Sequence, residues 1–269
     1  SGVLPGNRGR CRMRKMLLAL ALSVPLSMGS ADAAGAPSEY QMEAELMTID
    51  GETAFGFNYF FTPVNNDEHP FAIQQFMQRA SYVGIDAGSM RMLGFPDSLW
   101  VGGVDNVGYS IPVTYTLPGM DNRLQVTADL YDITDVMGGG MYSSIGLAYY
   151  ITDTFRVATD IIGDTYSADV EFGLHFVDLQ YVMPDQNLSL GFNFSLRDDA
   201  FGDHFKLTGS YYPMKELGIN ATIIDGDGYA NTVLQIGADY QIGPVSVEAA
   251  YLTNNSGIDE LFLAGRFRF

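Results

Sequence analysis

Beyond its first few dozen residues the chain alternates apolar and polar positions with a period of two. Leu188, Leu190, Phe192, Phe194 and Leu196 are interleaved with Ser189, Gly191, Asn193 and Ser195. Residues 124–130, 217–223 and 245–251 repeat the arrangement. That period belongs to β-strands with one apolar face. Fourteen such strands are predicted, at about 41–49, 53–62, 77–87, 107–117, 123–132, 142–151, 155–163, 167–182, 187–196, 203–212, 216–224, 231–241, 244–252 and 259–269. Two places bear on the count. Residues 40–62 also read as one long strand bulged at Asp50-Gly51, and twelve strands is the alternative. The eighth segment changes phase near Phe176-Val177, where a bulge is expected.

The connections come in two kinds, which alternate. Short ones follow aromatic residues at Tyr115, Tyr149-Tyr150, Tyr181, Tyr211-Tyr212 and Tyr240, spaced by about 30 residues. The others, such as 197–202, 225–231 and 253–258, are rich in Asp, Asn and Gly. The pattern predicts an all-β, antiparallel up-and-down meander with both termini on the short-turn side.

Physical chemistry then decides which face points outward. A water-soluble sandwich or propeller would bury the apolar face. Three features favour the inverse. The polar face is dominated by Gly, Ser, Thr and Asn, small groups suited to a lumen. Tyr and Phe gather at the turn ends, as in an interfacial girdle. The chain closes on LFLAGRFRF, with Leu261, Leu263, Phe267 and the terminal Phe269 on one face. In hydrocarbon each unpaired backbone group costs several kcal/mol, so such a sheet must close on itself. The expectation is a transmembrane β-barrel.

The terminal strand with its final Phe resembles the assembly signal of bacterial outer-membrane β-barrels, which the outer-membrane insertion machinery reads. That resemblance implies Phe267 and Phe269 as the signal. A second stretch runs from Phe60-Phe61-Thr62-Pro63-Val64 through Pro70-Phe71-Ala72-Ile73 to Phe76-Met77-Gln78-Arg79-Ala80-Ser81. It is similar to a stretch in proteobacterial porins, and the chain departs from that pattern at Gln74-Gln75. The likeness covers about 25 residues closely and implies family membership more than a solute. Read locally, Pro70 starts a short helical turn that packs Phe71 and Phe76 at the rim.

Composition narrows the setting. The chain has 269 residues, 47% of them hydrophobic, with 13% aromatic and one Cys. Apolar content this high excludes a disordered chain, and one Cys excludes a disulfide scaffold. Arg12, Arg14 and Lys15 precede an uncharged run from Met16 to Met28, followed by small residues around Ala33. This reads as a signal peptide over 13–33, with 1–12 an upstream extension and 34–269 a single barrel domain. A run of 13 residues containing Pro25 is too short for a membrane anchor. Removal through Ala33 leaves 31 acidic and 9 basic residues, a net of −22. A chain this acidic excludes a nucleic-acid partner.

Candidate chemistry is sparse. His69 falls in a turn, and no nucleophile motif accompanies His175 or His204, so no enzyme is expected. Asp225-Gly226-Asp227-Gly228 has the start of a calcium loop, but Ile236 stands where the late Glu is required. Neither a metal nor a cofactor is expected. Alternation aims Glu43, Glu45, Asp129, Asp160, Glu171, His175, Asp239 and Glu248 into the lumen, with Arg123, Arg156, Lys206, Arg266 and Arg268. The outer loops add Asp97, Asp105, Asp135, Asp164, Asp198, Asp199, Asp225, Asp227 and Asp259 against Arg91 and Arg197. Acidic rings favour cations. The long connection 88–106 holds the constriction candidates Arg91, Phe95, Asp97 and Trp100.

The expectation is an outer-membrane porin of a Gram-negative bacterium. It would pass ions and small hydrophilic solutes, cations preferentially, amid lipid and lipopolysaccharide. The alternative is a closed structural barrel whose acidic loops bind a partner. Oligomeric state is not written in the pattern.

Overall fold

A computed structural model describes residues 38–49, 52–65, 69–89, 107–133, 141–164, 170–172, 176–195, 204–226, 232–254 and 259–269. The signal-peptide and upstream segments lie outside the described residues, as do most of the longer connections, 90–106 among them.

The strands are β1 (Glu39–Ile49), β2 (Glu52–Asn65), β3 (Tyr82–Ser89), β4 (Val107–Thr116), β5 (Leu124–Ile133), β6 (Met141–Thr152) and β7 (Phe155–Asp164). There follow β8, in two segments (Val170–Phe172 and Phe176–Met183), β9 (Leu188–Ser195), β10 (His204–Met214) and β11 (Leu217–Gly226). The last three are β12 (Val233–Ile242), β13 (Val245–Asn254) and β14 (Asp259–Arg268). Each pairs antiparallel with its neighbours, and β1 pairs with β14, Glu43 opposite Arg268 and Glu45 opposite Arg266. The result is a closed transmembrane barrel of fourteen staves.

Both open points in the count resolve to fourteen. Ile49 pairs with Glu52 and Thr48 with Thr53, so β1 and β2 are two arms of a hairpin rather than one bulged strand. Both segments of β8 pair with β7, Phe172 with Ile162 and Leu179 with Val157, so they make one stave.

The apolar face points out. Leu190, Phe192, Ile219, Ile236, Val247 and Leu263 are all exposed, while Ser189, Gln241, Ser246 and Ala264 on the other face of the same strands are buried. At the short-turn end, Tyr59, Phe61, Tyr115, Tyr149, Tyr181, Tyr211 and Tyr240 stand on the outer surface. Rings stack edge-on there, Phe61 with Tyr115 at 6.3 Å and Phe155 with Tyr181 at 6.2 Å. This is the aromatic girdle of a membrane barrel.

The strand predicted over 77–87 begins late. Pro70 is followed by a 3-10 turn (Phe71–Ile73) and a helical turn, α1 (Gln74–Met77), and β3 starts only at Tyr82. Amide bonds from Gln78 to Gln74 O and from Ala80 to Gln75 O keep the chain coiled. The helical turn expected from Pro70 is present, but its coil runs on through Ala80, so residues 77–80 belong to it and not to the strand; its apolar side chains are Phe71, Ile73 and Phe76. They pack inward. Asp164, Asp225 and Asp259, expected in loops, instead lie in the ends of β7, β11 and β14.

Candidate functional site

Among the described residues, two structures line the inside of the barrel: a polar wall and a cap across the short-turn mouth.

The register places Glu43, Glu45, Asp86, Asp129, Asp160, Asp178, Asp239 and Glu248 on the lumen face, with Arg156, Lys206, Arg266 and Arg268. Three of the four bases are bound to acids. Arg268 Nε donates to Glu43 Oε2 at 2.7 Å, and its Nη1 to Gln241 Oε1. Arg266 bridges Glu45 at 2.7 Å and Glu248 at 3.0 Å. Arg156 pairs with Asp178 at 3.2 Å. The first two pairs lie on the closing seam between β1 and β14 and extend to β12 and β13.

Other carboxylates lie flat against the wall. A Cβ on Gly56 would stand 2.8 Å from Asp86 Oδ1, and one on Gly146 or Gly218 would collide with Asp160 or Asp239. The neighbouring strand's glycine is the seat on which each acid rests. Asp129 accepts a 2.7 Å bond from the Ser110 hydroxyl. Asp86 has no hydrogen-bond or ion-pair partner among the described residues. An acid on β3 and one on β5 thus face the lumen with their charge unmatched by a contacting base.

The cap is the segment from Pro70 to Ser81. Its stems are β2 and β3, yet Ile73 and Phe76 form one apolar cluster with Tyr150 of β6, Val182 of β8 and Tyr212 of β10. β10 stands seven staves from β3 in a ring of fourteen, so the segment reaches across the bore to the opposite wall. Its far contact is with the β10–β11 turn: Phe71 N donates to Lys215 O at 3.2 Å, and the Lys215 ammonium sits 4.9 Å from the Phe71 ring. The Tyr150 hydroxyl donates to Phe76 O at 3.2 Å. Gln75 Nε2 reaches the Tyr40 hydroxyl at 3.3 Å and Glu43 at 3.5 Å, tying the cap to the seam ladder.

The exit from the cap is a latch. Arg79 Nη1 donates to Asp121 O at 2.7 Å and Nη2 to Asp153 Oδ1 at 2.5 Å, while the guanidinium lies 5.0 Å from the Tyr150 ring. Thr116 Oγ1 donates to Arg79 O at 2.6 Å. Gln78 binds both backbone groups of Asn65, its Oε1 accepting from N and its Nε2 donating to O. This side chain stands in for a strand partner where β2 overruns β3, while Pro63 in the overrun lacks a donor. A cavity of about 630 Å³ opens beside it at the rim, lined by Phe61, Pro63, Arg79, Tyr115 and Pro118 among others.

Several candidates from the sequence fall elsewhere. Arg123 precedes β5 on the short-turn rim, where its Nη1 donates to Ile151 O at 2.9 Å, rather than on the wall. Glu171 pairs with Gly163 through the backbone, and its side chain lies outside the described residues. His175, Arg91, Phe95, Asp97 and Trp100 also lie outside them. Phe267 and Phe269 stack at 5.4 Å, and Phe269 exchanges backbone bonds with Met42 of β1. Sequence reasoning missed Asp86, Asp178, Gln241 and the receivers Tyr150 and Tyr212. Strand parity alone points Asp86 and Asp178 inward. The doubled tyrosines held the clue to the others, since on a strand one of two adjacent rings must face the lumen.

No family model matches the chain, and no curated protein does. Among solved structures, the outer membrane protein Omp33 of Acinetobacter baumannii aligns with a TM-score of 0.65 at 18% identity, over 86% of this chain and 99% of that one. A triple mutant of the Rhodopseudomonas blastica porin aligns at 0.45 and 17% identity, with the same coverage. Taken with the closed fourteen-stave sheet, the likeness to the first establishes a closed, antiparallel transmembrane β-barrel as the fold.

Proposed function

We propose that this barrel is an outer-membrane porin of a Gram-negative bacterium that passes ions and small hydrophilic solutes and prefers cations. One observation carries the reading: an apolar wall faces outward around a lumen whose bases are mostly ion-paired and whose acids are in excess. Fixed negative charge in a low-dielectric enclosure concentrates cations and repels anions. The cap stands across the short-turn, periplasmic mouth, so passage requires its displacement. Phe267 and Phe269 supply the assembly signal, and the outer face meets lipid and lipopolysaccharide.

A second reading rests on the same cap. If the cap is a permanent plug, the barrel is a closed structural or partner-binding element. Planar-bilayer recordings separate the two. The porin gives stepwise ohmic currents with a reversal potential on the cation side of a KCl gradient. An anion-side reversal would remove the charge argument and leave the porin. Silence both from the chain and from a cap-loosened variant, Phe76→Ala, would leave the plug.

A further inference from the structure

Backbone strain among the described residues is concentrated at one place. Among the described residues, five non-glycine positions have positive φ, and four of them belong to the latch: Arg79 at 52°, Met120 at 46°, Asp121 at 55° and Asn122 at 56°. The left-handed region crowds Cβ against the following carbonyl, and three successive left-handed residues without a glycine are rare. Asp and Asn tolerate that conformation better than other side chains do, and Met gains nothing from it. Such strain persists only where surrounding contacts over-determine it.

Two backbone bonds close the turn, Asn122 N donating to Gly119 O at 2.7 Å and Arg123 N to Met120 O at 3.1 Å, and one side chain from the cap adds to them. Arg79 Nη1 donates to the carbonyls of Asp121 (2.7 Å) and Asn122 (3.4 Å), holding the turn in the left-handed form. Its other arm binds Asp153, which is 75% exposed. One guanidinium therefore clamps the β4–β5 turn, the β6–β7 turn and the end of the cap.

We propose that Arg79 and the 119–122 turn form a spring-loaded latch on the cap. In the latched state the guanidinium pins the turn in its strained form. Once Arg79 leaves, the turn relaxes and its two carbonyls no longer converge, so re-latching requires the strain to be restored. The cap then has two discrete positions instead of a continuum. Because Asp153 faces water, screening by salt weakens the clamp and favours release. The proposal rests on the cap being the moving part of the porin reading, and it specifies which residues hold that part.

The spring has an unusual signature. Removing the strain should tighten the latch. Met120 is 72% exposed, so Met120→Gly removes little contact while freeing the residue to adopt positive φ. Spin labels at Ala72→Cys in the cap and Asp185→Cys in the β8–β9 turn, with Cys11→Ser, report cap position by distance distribution in lipid nanodiscs. Raising KCl should increase the long-distance, released population. Arg79→Ala should make released molecules dominant. Met120→Gly should reduce the ratio of released to latched molecules roughly fivefold at any salt concentration.

Labels that ignore both salt and Arg79→Ala would overturn the latch. So would a Met120→Gly barrel whose released fraction is unchanged or larger, since that is the result for a merely well-packed turn. Should Arg79→Ala fail to fold, the salt series and Met120→Gly still decide. The label distances need no current. A barrel that never conducts but whose labels respond in this way keeps the latch and loses the porin. A barrel that conducts while its labels stay still keeps the porin and loses the latch.

Discussion

At the residue scale, adjacent side chains on one strand do opposite jobs. Tyr149 is 44% exposed and belongs to the lipid-facing girdle, whereas Tyr150 is 1% exposed and receives Phe76. Tyr211 and Tyr212 divide in the same way. The tyrosine pairs are visible in the sequence as turn markers. That one ring of each pair faces inward follows from strand parity, but what it receives does not, because Ile73 and Phe76 come from a distant segment. Burial of Phe76 stabilises the cap by about 1.5–3 kcal/mol. Phe76→Ala should therefore loosen the cap by roughly that amount or more, since it also leaves a cavity. Cap-bound and cap-free populations in the spin-label measurement, or conductance in a bilayer, would register it. Asp86 makes a second residue-level case. Asp86→Asn should lower the cation-to-anion permeability ratio, because that carboxylate has no contacting base to neutralise it. The same change at Asp185, on an exposed turn, should leave the ratio unaltered.

At the element scale, the seam between β1 and β14 is specified by charge as well as by hydrogen bonds. The two ion pairs are directly opposite in register, Glu43 with Arg268 and Glu45 with Arg266. A slip by two residues keeps every apolar side chain facing out but lets only one of the two Glu–Arg pairs re-form, leaving one acid and one base of the seam unmatched on the lumen wall. The pairs differ in depth. Glu43 and Arg268 are 7% and 6% exposed, while Glu45 and Arg266 are 18% and 28% exposed. Removing one partner of a buried pair costs about 3–5 kcal/mol, because the other charge is stranded. The more exposed pair should cost less. Glu43→Gln is thus expected to lower the unfolding midpoint more than Glu45→Gln, measured by the temperature at which the folded band is lost on a gel. Most strand positions were legible from period-two alternation, whereas the two arms of the β1–β2 hairpin were one of two readings it allowed until the pairing of Ile49 with Glu52 decided between them. The start of β3 was not legible: the turn at Pro70 with Phe71 and Phe76 was, but its length is set by backbone bonds that carry the coil to Ala80, which no local alternation marks.

At the scale of the whole molecule, the fold is a soluble β-protein turned inside out, and this inversion was the most legible property of the sequence. Glycine and small polar residues on one face, large aliphatics on the other and aromatics at the turns leave few alternatives once the backbone must be satisfied in hydrocarbon. What the sequence could not supply was the closure of the mouth, a contact between elements half a circumference apart. The inversion also fixes how substitutions are felt. Ile236 and Gln235 are neighbours on β12, and Ile236 is 54% exposed on the outer surface while Gln235 faces the lumen opposite Leu252. In a soluble protein, arginine at the exposed site would be harmless and arginine at the enclosed site harmful. In a bilayer the order reverses. A lipid-facing Arg near the midplane costs about 2–4 kcal/mol, whereas a lumen Arg stays hydrated. Ile236→Arg should therefore destabilise folding into lipid vesicles by that amount, and Gln235→Arg by much less, as measured by urea titration in liposomes. Because the two positions share a strand and a depth, their difference isolates the medium each face meets. Equal penalties, or a larger one at Gln235, would mean that lipid does not surround this wall.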